Sequence, residues 1–189
     1  MLCLGTAFAA AISSSALAYI PPATWMVTTC NDDESGDLAS RTGSLRFAIT
    51  NASGGSTIDL SQLPTAYNCS VITLGTGSIK SSLAISQDDL TLQGPAGGHV
   101  TISGGKDDAS NAPVIDHSGT GTLSVNNLTL DAKPVRGCIH STGTVSLSHS
   151  AVCGATILSA AASATGGIST DGIATPEHPY LQSPPVDNE

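Results

Sequence analysis

Val100-Thr101-Ile102-Ser103-Gly104, Gly121-Thr122-Leu123-Ser124-Val125 and Gly143-Thr144-Val145-Ser146-Leu147 are three versions of one short unit. Each alternates an apolar residue with Ser or Thr, the period-2 pattern of a strand that buries one face. Val100 to Leu123 and Leu123 to Val145 are both intervals of about 22 residues, and a strand unit that returns at a fixed interval of this size marks a solenoid. Such a length suits one coil of a parallel β-helix, whose short strands stack on their counterparts in the next coil. The stretch from Leu90 to Val152 therefore predicts an all-β fold.

Composition agrees. Aromatics are 3% and charged residues 11% of the 189, against about 25% charged in an ordinary globular domain. Helical surfaces need more Glu, Lys and Arg than this, while an apolar fraction of 40% argues against charge-driven disorder. Six Lys and Arg stand against 15 Asp and Glu, a net charge of −9. Without a basic cluster to neutralise phosphates, the chain is not expected to bind nucleic acid. Anionic membrane surfaces are disfavoured by the same sign.

Residues Leu2 to Ala18 form an apolar, small-residue run ending in Ala16-Leu17-Ala18, a signal-peptide cleavage pattern, although no positive n-region precedes it. The run is too short to span a membrane well, so export is expected, with residues 1–18 removed. Cys30, Cys69, Cys138 and Cys153 then remain. In an oxidising compartment they are candidate disulfide partners, with three connectivities open. Proximity in sequence favours Cys30–Cys69 and Cys138–Cys153, and buried free thiols are the alternative. No C-x-x-C pair supports zinc. The acidic loop from Asn31 to Asp37 has the start of a calcium loop, but position twelve is Thr42 rather than Glu, so it reads as a solvated turn.

Leu45, Ala48, Ile49 and Ala52 fall on one helical face, with Ser44 as N-cap and Gly54-Gly55 ending the run. Thr57-Ile58-Asp59-Leu60 reads as the first strand. A solenoid must cover the open end of its first coil, and a helix containing Ser44, Leu45, Arg46, Ala48 and Ile49 would serve as that cap. The expected divisions are a cap region at 19–57, coils at 58–155, and a degenerate or disordered tail at 156–189.

The order of these parts carries a resemblance. A secretory signal, a Cys in an acidic loop, Gly43-Ser44-Leu45-Arg46-x-Ala48-Ile49 and Thr57-Ile58-Asp59-Leu60 are followed by a Cys before an Ile-Thr-Leu strand. Then come Leu90-Thr91-Leu92-Gln93-Gly94-Pro95 and Val100-Thr101-Ile102-Ser103-Gly104-Gly105. This resembles the bacterial secreted or surface-exposed right-handed parallel β-helix proteins, the kind related to polymorphic outer-membrane proteins and to choice-of-anchor domains. The match runs from about Cys30 to Cys153, and departs at Phe47, where the family carries an acidic residue. The resemblance implies a right-handed helix and a place outside the bacterial cell or on its outer membrane.

Strands are expected at Val71–Leu74, Leu83–Ile85, Leu90–Leu92, Val114–Asp116 and Leu128–Leu130, with Asn126-Asn127 at a turn where αL geometry and stacked amides fit. About four coils result. Past Thr175 the prolines cannot continue a parallel sheet, which predicts a chain cut short near Thr170. Any outer-membrane anchor would then belong to the missing C-terminal part.

Chemistry is sparse. Glycoside hydrolysis needs two carboxylates about 5–10 Å apart, and the candidates Asp59, Asp88, Asp89, Asp107, Asp108, Asp116 and Asp131 form no recognisable pair. Lys106, Lys133 and Arg136 form no recognisable motif with a matching acid, of the kind a lyase would require. Trp25, the one candidate sugar platform among tryptophans, lies outside the ladder. His117 and His140 stand about one coil apart and would stack outward on neighbouring coils, without a third metal ligand. No catalytic residue, metal ligand or cofactor is assigned. The expected function is a non-catalytic secreted or cell-surface scaffold of adhesion type that meets an unidentified surface or carbohydrate ligand. The alternative is a carbohydrate-active β-helix, lyase- or glycosidase-like, whose active coils are missing.

Overall fold

The computed structural model describes residues 21–75, 82–97, 100–104, 112–132, 137–153, 157–158, 161–165 and 173–174. The expected signal segment at 1–18 lies outside them, as do Lys106, Asp107, Asp108, Lys133 and Arg136. The chain opens with β1 (Thr24–Val27), the short strands β2 (Gly36–Asp37) and β3 (Thr42–Gly43), and helix α1 (Leu45–Asn51). Strand β4 (Thr57–Asp59) and a single-turn helix α2 (Leu63–Ala66) follow. Next come β5 (Val71–Thr73), β6 (Leu83–Ile85), β7 (Leu90–Gln93), β8 (Val100–Ser103) and β9 (Ile115–His117). The remainder is β10 (Thr122–Asn126), β11 (Leu128–Asp131), β12 (Ile139–Ser141), β13 (Thr144–Ser148), β14 (Ala151–Cys153), β15 (Ile157–Leu158), β16 (Ala161–Thr165) and β17 (Ile173–Ala174).

The strands form three sheets. The first runs in the order β16-β13-β10-β7-β4-β1-β3-β2, the second β14-β11-β8-β5, and the third β17-β15-β12-β9-β6. From β4 to β13, each strand pairs in parallel with the third strand after it, so the chain visits the sheets in rotation. Among the described strands, β2 and β3 are antiparallel. Parallel neighbours need a long crossover between them, and here each crossover is made of the strands of the other two sheets.

Register decides what each sheet buries. In the first sheet Trp25, Ile58, Leu92, Val125, Leu147 and Ala164 form one column, and those from Trp25 to Leu147 are buried. The second sheet stacks Ile72, Ile102, Leu130 and Val152; the third stacks Leu83, Ile115, Ile139, Ile157 and Ile173. Each fully buried Leu or Ile contributes about 1.5–3 kcal/mol. The buried members of the three columns meet in one continuous core.

Corners between sheets use residues that tolerate left-handed backbone. Asn127 (φ 54°) follows β10 and His149 (φ 49°) follows β13, at equivalent places after neighbouring strands of the first sheet. The Asn127 N–H donates to the Ser148 carbonyl at 2.9 Å. One round earlier, after β7, stands Gly94, where a Cβ would run into the Asn127 carbonyl oxygen.

Helix α1 is capped by Ser44, whose Oγ accepts from the Phe47 N–H at 3.2 Å and donates to the Asp33 carbonyl at 2.6 Å. Leu45, Ala48 and Ile49 are buried as α1 packs on β1, β3, β4 and β6. Phe47 meets Trp25 edge-on, ring centroids 6.1 Å apart, and covers Gly36. Cys30 and Cys69 are joined in a disulfide, as proximity in sequence suggested. Cys138 is buried; the side chain of Cys153, its expected partner, lies outside the described residues.

Several expectations change. Thr57–Leu60 does not begin the strands, because β1 precedes it and pairs with β4. Trp25 is thus the first rung of a column, 4% exposed, and unavailable as a sugar platform. The three Ser/Thr-apolar units are not one column either. Val100 pairs with Leu128 in the second sheet, whereas Leu123 lies between Leu90 and Val145 in the first. Among the described strands, the interval of about 22 holds from β10 to β13 and from β11 to β14. The round from β7 to β10 is half as long again, with a separation of 33 between Gln93 and Asn126. The round from Ile58 to Leu92 is twice as long as the one from Leu147 to Ala164. Over 58–155, where about four coils were expected, the first sheet has β4, β7, β10 and β13, and β1 and β16 extend it on either side. Pairing also crosses residue 155, through β15, β16 and β17.

Candidate functional site

The most regular surface is the outer side of the first sheet. Thr24, Thr57, Thr91, Ser124, Ser146 and Ser163 lie in one column, one residue off the buried one. Alternation places them there, because neighbours of a buried residue in a strand face away from the core. Thr57, Thr91, Ser124 and Ser146 are half-buried, while Thr24 and Ser163 are exposed. Thr122 stacks under Thr144 to add a second short hydroxyl row. On the other flank Gln93 and Asn126 are register partners, and the Asn126 amide donates to Gln93 Oε1 at 3.3 Å. Strand spacing sets the repeat at about 4.8 Å. Each hydroxyl can donate once and accept twice.

The third sheet separates the two histidines that sequence spacing stacked together. Strand β12 pairs with β9 at a separation of 24, His140 to Asp116 and Ser141 to His117. The histidines are one residue closer in sequence than that register, which puts the imidazoles on opposite faces. His140 is exposed, with Nδ1 2.8 Å from Asp116 Oδ1 and about half of each side chain open to solvent. His117 is fully buried rather than outward. Its ring lies between Ser141 Oγ, 2.7 Å from Nδ1, and the Gln87 carbonyl, 3.0 Å from Nε2. They cannot share a metal, and no cluster of three metal-ligating side chains exists among the described residues.

The carboxylates are dispersed. Asp59 belongs to the first sheet, Asp131 to the second and Asp116 to the third. Asp131 accepts from the Ser103 hydroxyl at 3.2 Å. Asp88 and Asp89, at the corner before β7, are tied to the next round. Asp88 Oδ1 accepts from the Thr120 N–H at 2.6 Å, the Gly121 N–H at 3.1 Å and the Thr120 hydroxyl at 3.1 Å. Asp89 Oδ1 accepts from the Thr122 N–H at 2.8 Å. The Thr120 and Gly121 amides hold the Asp88 carboxyl below its usual value. In the acidic loop, the Ser35 hydroxyl draws Asp33 down and the Ser40 hydroxyl draws Asp37 down. The Asp33 and Asp37 oxygens serve local turns, whereas those of Asp88 and Asp89 join two rounds.

Beside α1 a cleft of about 140 Å³ is lined by Glu34, Arg46, Ile49, Thr50, Leu83 and Ala84. Arg46 is occupied there: its guanidinium pairs with the buried Asp32 and donates to the Ser82 carbonyl at 2.8 Å. Asp32 also accepts from the Gly75 N–H at 2.6 Å. Sequence reading missed this pair, although a lone Arg on the helix was a signal that a partner acid was needed. No helix among the described residues is long and apolar enough to cross a membrane.

Comparison with protein-family models, with curated proteins and with solved structures found no match to this chain.

Proposed function

We propose that this chain is an exported, non-catalytic right-handed parallel β-helix of the bacterial cell surface, similar to polymorphic outer-membrane proteins. It acts as an adhesion-type scaffold. Rotation of the strands through three sheets supports the β-helix reading, and the placement of α1 across β1, β3, β4 and β6 supports its role as an end cap. The observation that carries the function is the Thr24-to-Ser163 hydroxyl column. An uncharged row of donors and acceptors repeating at about 4.8 Å favours a partner that also repeats, such as an extended polysaccharide. Many weak contacts then add as avidity. Dispersal of Asp59, Asp116 and Asp131 over three sheets supports this over hydrolysis, which needs two facing carboxylates.

The test is sedimentation of the full purified chain with insoluble bacterial and plant polysaccharides. Wild type is expected to co-sediment with at least one. Thr91→Lys/Ser146→Lys, in the column, is expected to lose at least tenfold in affinity, while Thr129→Lys on the second sheet retains binding. Equal binding by all three, or release of shortened sugars during incubation, overturns the reading. Export is tested separately by joining residues 1–18 to a reporter lacking its own signal.

A further inference from the structure

Strand β6 is the edge of the third sheet among the described strands, and α1 packs against it. The ladder fixes which of its backbone groups are in use. The Leu83 N–H donates to the Val114 carbonyl, and the Ile85 carbonyl accepts from the Ser118 N–H, both at 2.8 Å. Alternate residues of a parallel strand turn both backbone groups to the same neighbour, so Leu83 and Ile85 are joined to β9. Ala84 between them turns its N–H and carbonyl to the opposite edge, where they have no backbone partner among the described residues.

That edge borders the cleft beside α1, which Ala84 lines together with Glu34, Ile49, Thr50 and Leu83. Arg46 lines it too, but its charge is balanced by Asp32 and it already takes the Ser82 carbonyl. Glu34 and Thr50 are exposed, and their side-chain oxygens have no partner among the described residues. Ser82 Oγ, at the next position before Leu83, is buried and likewise without a partner. Buried polar groups are normally paired. The cleft thus gathers an N–H, a carbonyl, a carboxylate and a hydroxyl that the fold does not use, around the apolar Ile49 and Leu83.

We propose that this cleft is a subsite for the acetamido group of an N-acetylated amino sugar, which rests on reading the chain as a polysaccharide binder. Size comes first. A cavity of about 150 Å³ takes up benzene, so this one admits a substituent of roughly half a dozen heavy atoms rather than a whole sugar. An acetamido group is one planar trans amide with a methyl, its oxygen and its N–H pointing opposite ways. The oxygen accepts from the Ala84 N–H, the amide N–H donates to Glu34, and the methyl lies against Ile49 and Leu83. The Ala84 carbonyl and the Thr50 hydroxyl are left for a ring hydroxyl.

Other occupants fit less well. A peptide added to β6 would pair with alternate residues in succession, and Arg46 already holds the Ser82 carbonyl. An ammonium group would answer Glu34 but leave the Ala84 N–H and the apolar pair unused. The hydroxyl column lies on the first sheet and Ala84 on the third, so the subsite is separate from it.

Three tetrasaccharides of one linkage, carrying acetamido, hydroxyl or ammonium at C2, test this by calorimetry and ¹H–¹⁵N spectra of the full chain. The acetamido form is expected to bind about tenfold more tightly than the hydroxyl form, the effect of one hydrogen bond and one buried methyl. It is also expected to shift the Ala84 and Thr50 amide signals. Thr50→Phe, which fills the cleft from an exposed position, is expected to abolish the preference. If that variant does not fold, Glu34→Ala and the wild-type shifts decide. No binding of the acetamido form, equal binding of the hydroxyl form, tighter binding of the ammonium form, or shifts confined to Thr91, Ser124 and Ser146 overturns the subsite. The two readings fail separately. Sedimentation that depends on Thr91 and Ser146 without an acetamido preference overturns the subsite alone. An acetamido preference lost in Thr50→Phe, without such sedimentation, overturns the column alone.

Discussion

Asp32 keeps 1% of its side-chain surface and Arg46 11%, so neither can turn to water when the other is removed. Arg46→Met is expected to lower stability by about 3–5 kcal/mol, the usual cost of stranding a buried charge. Urea denaturation measures it. The double change Arg46→Met/Asp32→Asn should recover much of the loss, because no uncompensated charge remains; no recovery would mean that Arg46 acts mainly through Ser82. How much was legible differs residue by residue. Leu45, Ala48 and Ile49 were legible because a helical period fixes their common face. Asp32 was not, since irregular backbone brings it to Arg46 across a sequence separation of 14. His117 was misread outward because its facing depends on a register one residue longer than its spacing from His140, and period-2 geometry inverts on a single residue.

Among elements, the N-terminal region is held by more than α1. The Cys30–Cys69 bond encloses β2, β3, α1, β4 and α2, with a sequence separation of 39. Constraining a loop of that size in the unfolded chain is worth about 4 kcal/mol in the chain-entropy view. Reduction is therefore expected to lower the melting temperature and to raise exchange first in α1 and β4. Calorimetry with and without reductant, followed by exchange at a temperature where both forms are folded, checks it. Unchanged melting would show that packing alone holds these elements. Strand β1 escaped sequence reading because it is short, follows Pro21-Pro22 closely and carries Trp25 without an alternating run. Helix α2 escaped because a single turn, with Pro64 near its start, has no periodicity to read.

Across the whole molecule, each strand of the first sheet from β4 to β13 touches the strands on either side of it, and the core is one continuous column set. Protection should accordingly grade along the stack. Strands β7 and β10 are expected to exchange most slowly and β16 faster. Leu92→Ala should cost about 2–5 kcal/mol and raise exchange chiefly in β4, β7 and β10. A uniform rise in every strand would show all-or-none cooperativity instead. The rotation of three sheets was foreshadowed by recurring Ser/Thr-apolar units, but not its dimensions. Unequal crossovers change the interval while leaving each strand's own pattern intact, so three copies could not reveal that the period varies.

Those unequal crossovers bear on how the chain finds its fold. Bringing β13 and β16 together closes the stretch between Leu147 and Ala164, whereas bringing β4 and β7 together closes one twice as long, between Ile58 and Leu92. Doubling a flexible loop adds about 0.6 kcal/mol of closure entropy, roughly a threefold difference in the chance of a productive encounter. Nucleation is thus easiest among β10, β13 and β16, and growth from there runs back toward α1. On loop closure alone, folding is therefore expected to run against the direction of synthesis, with the N-terminal rounds completed last.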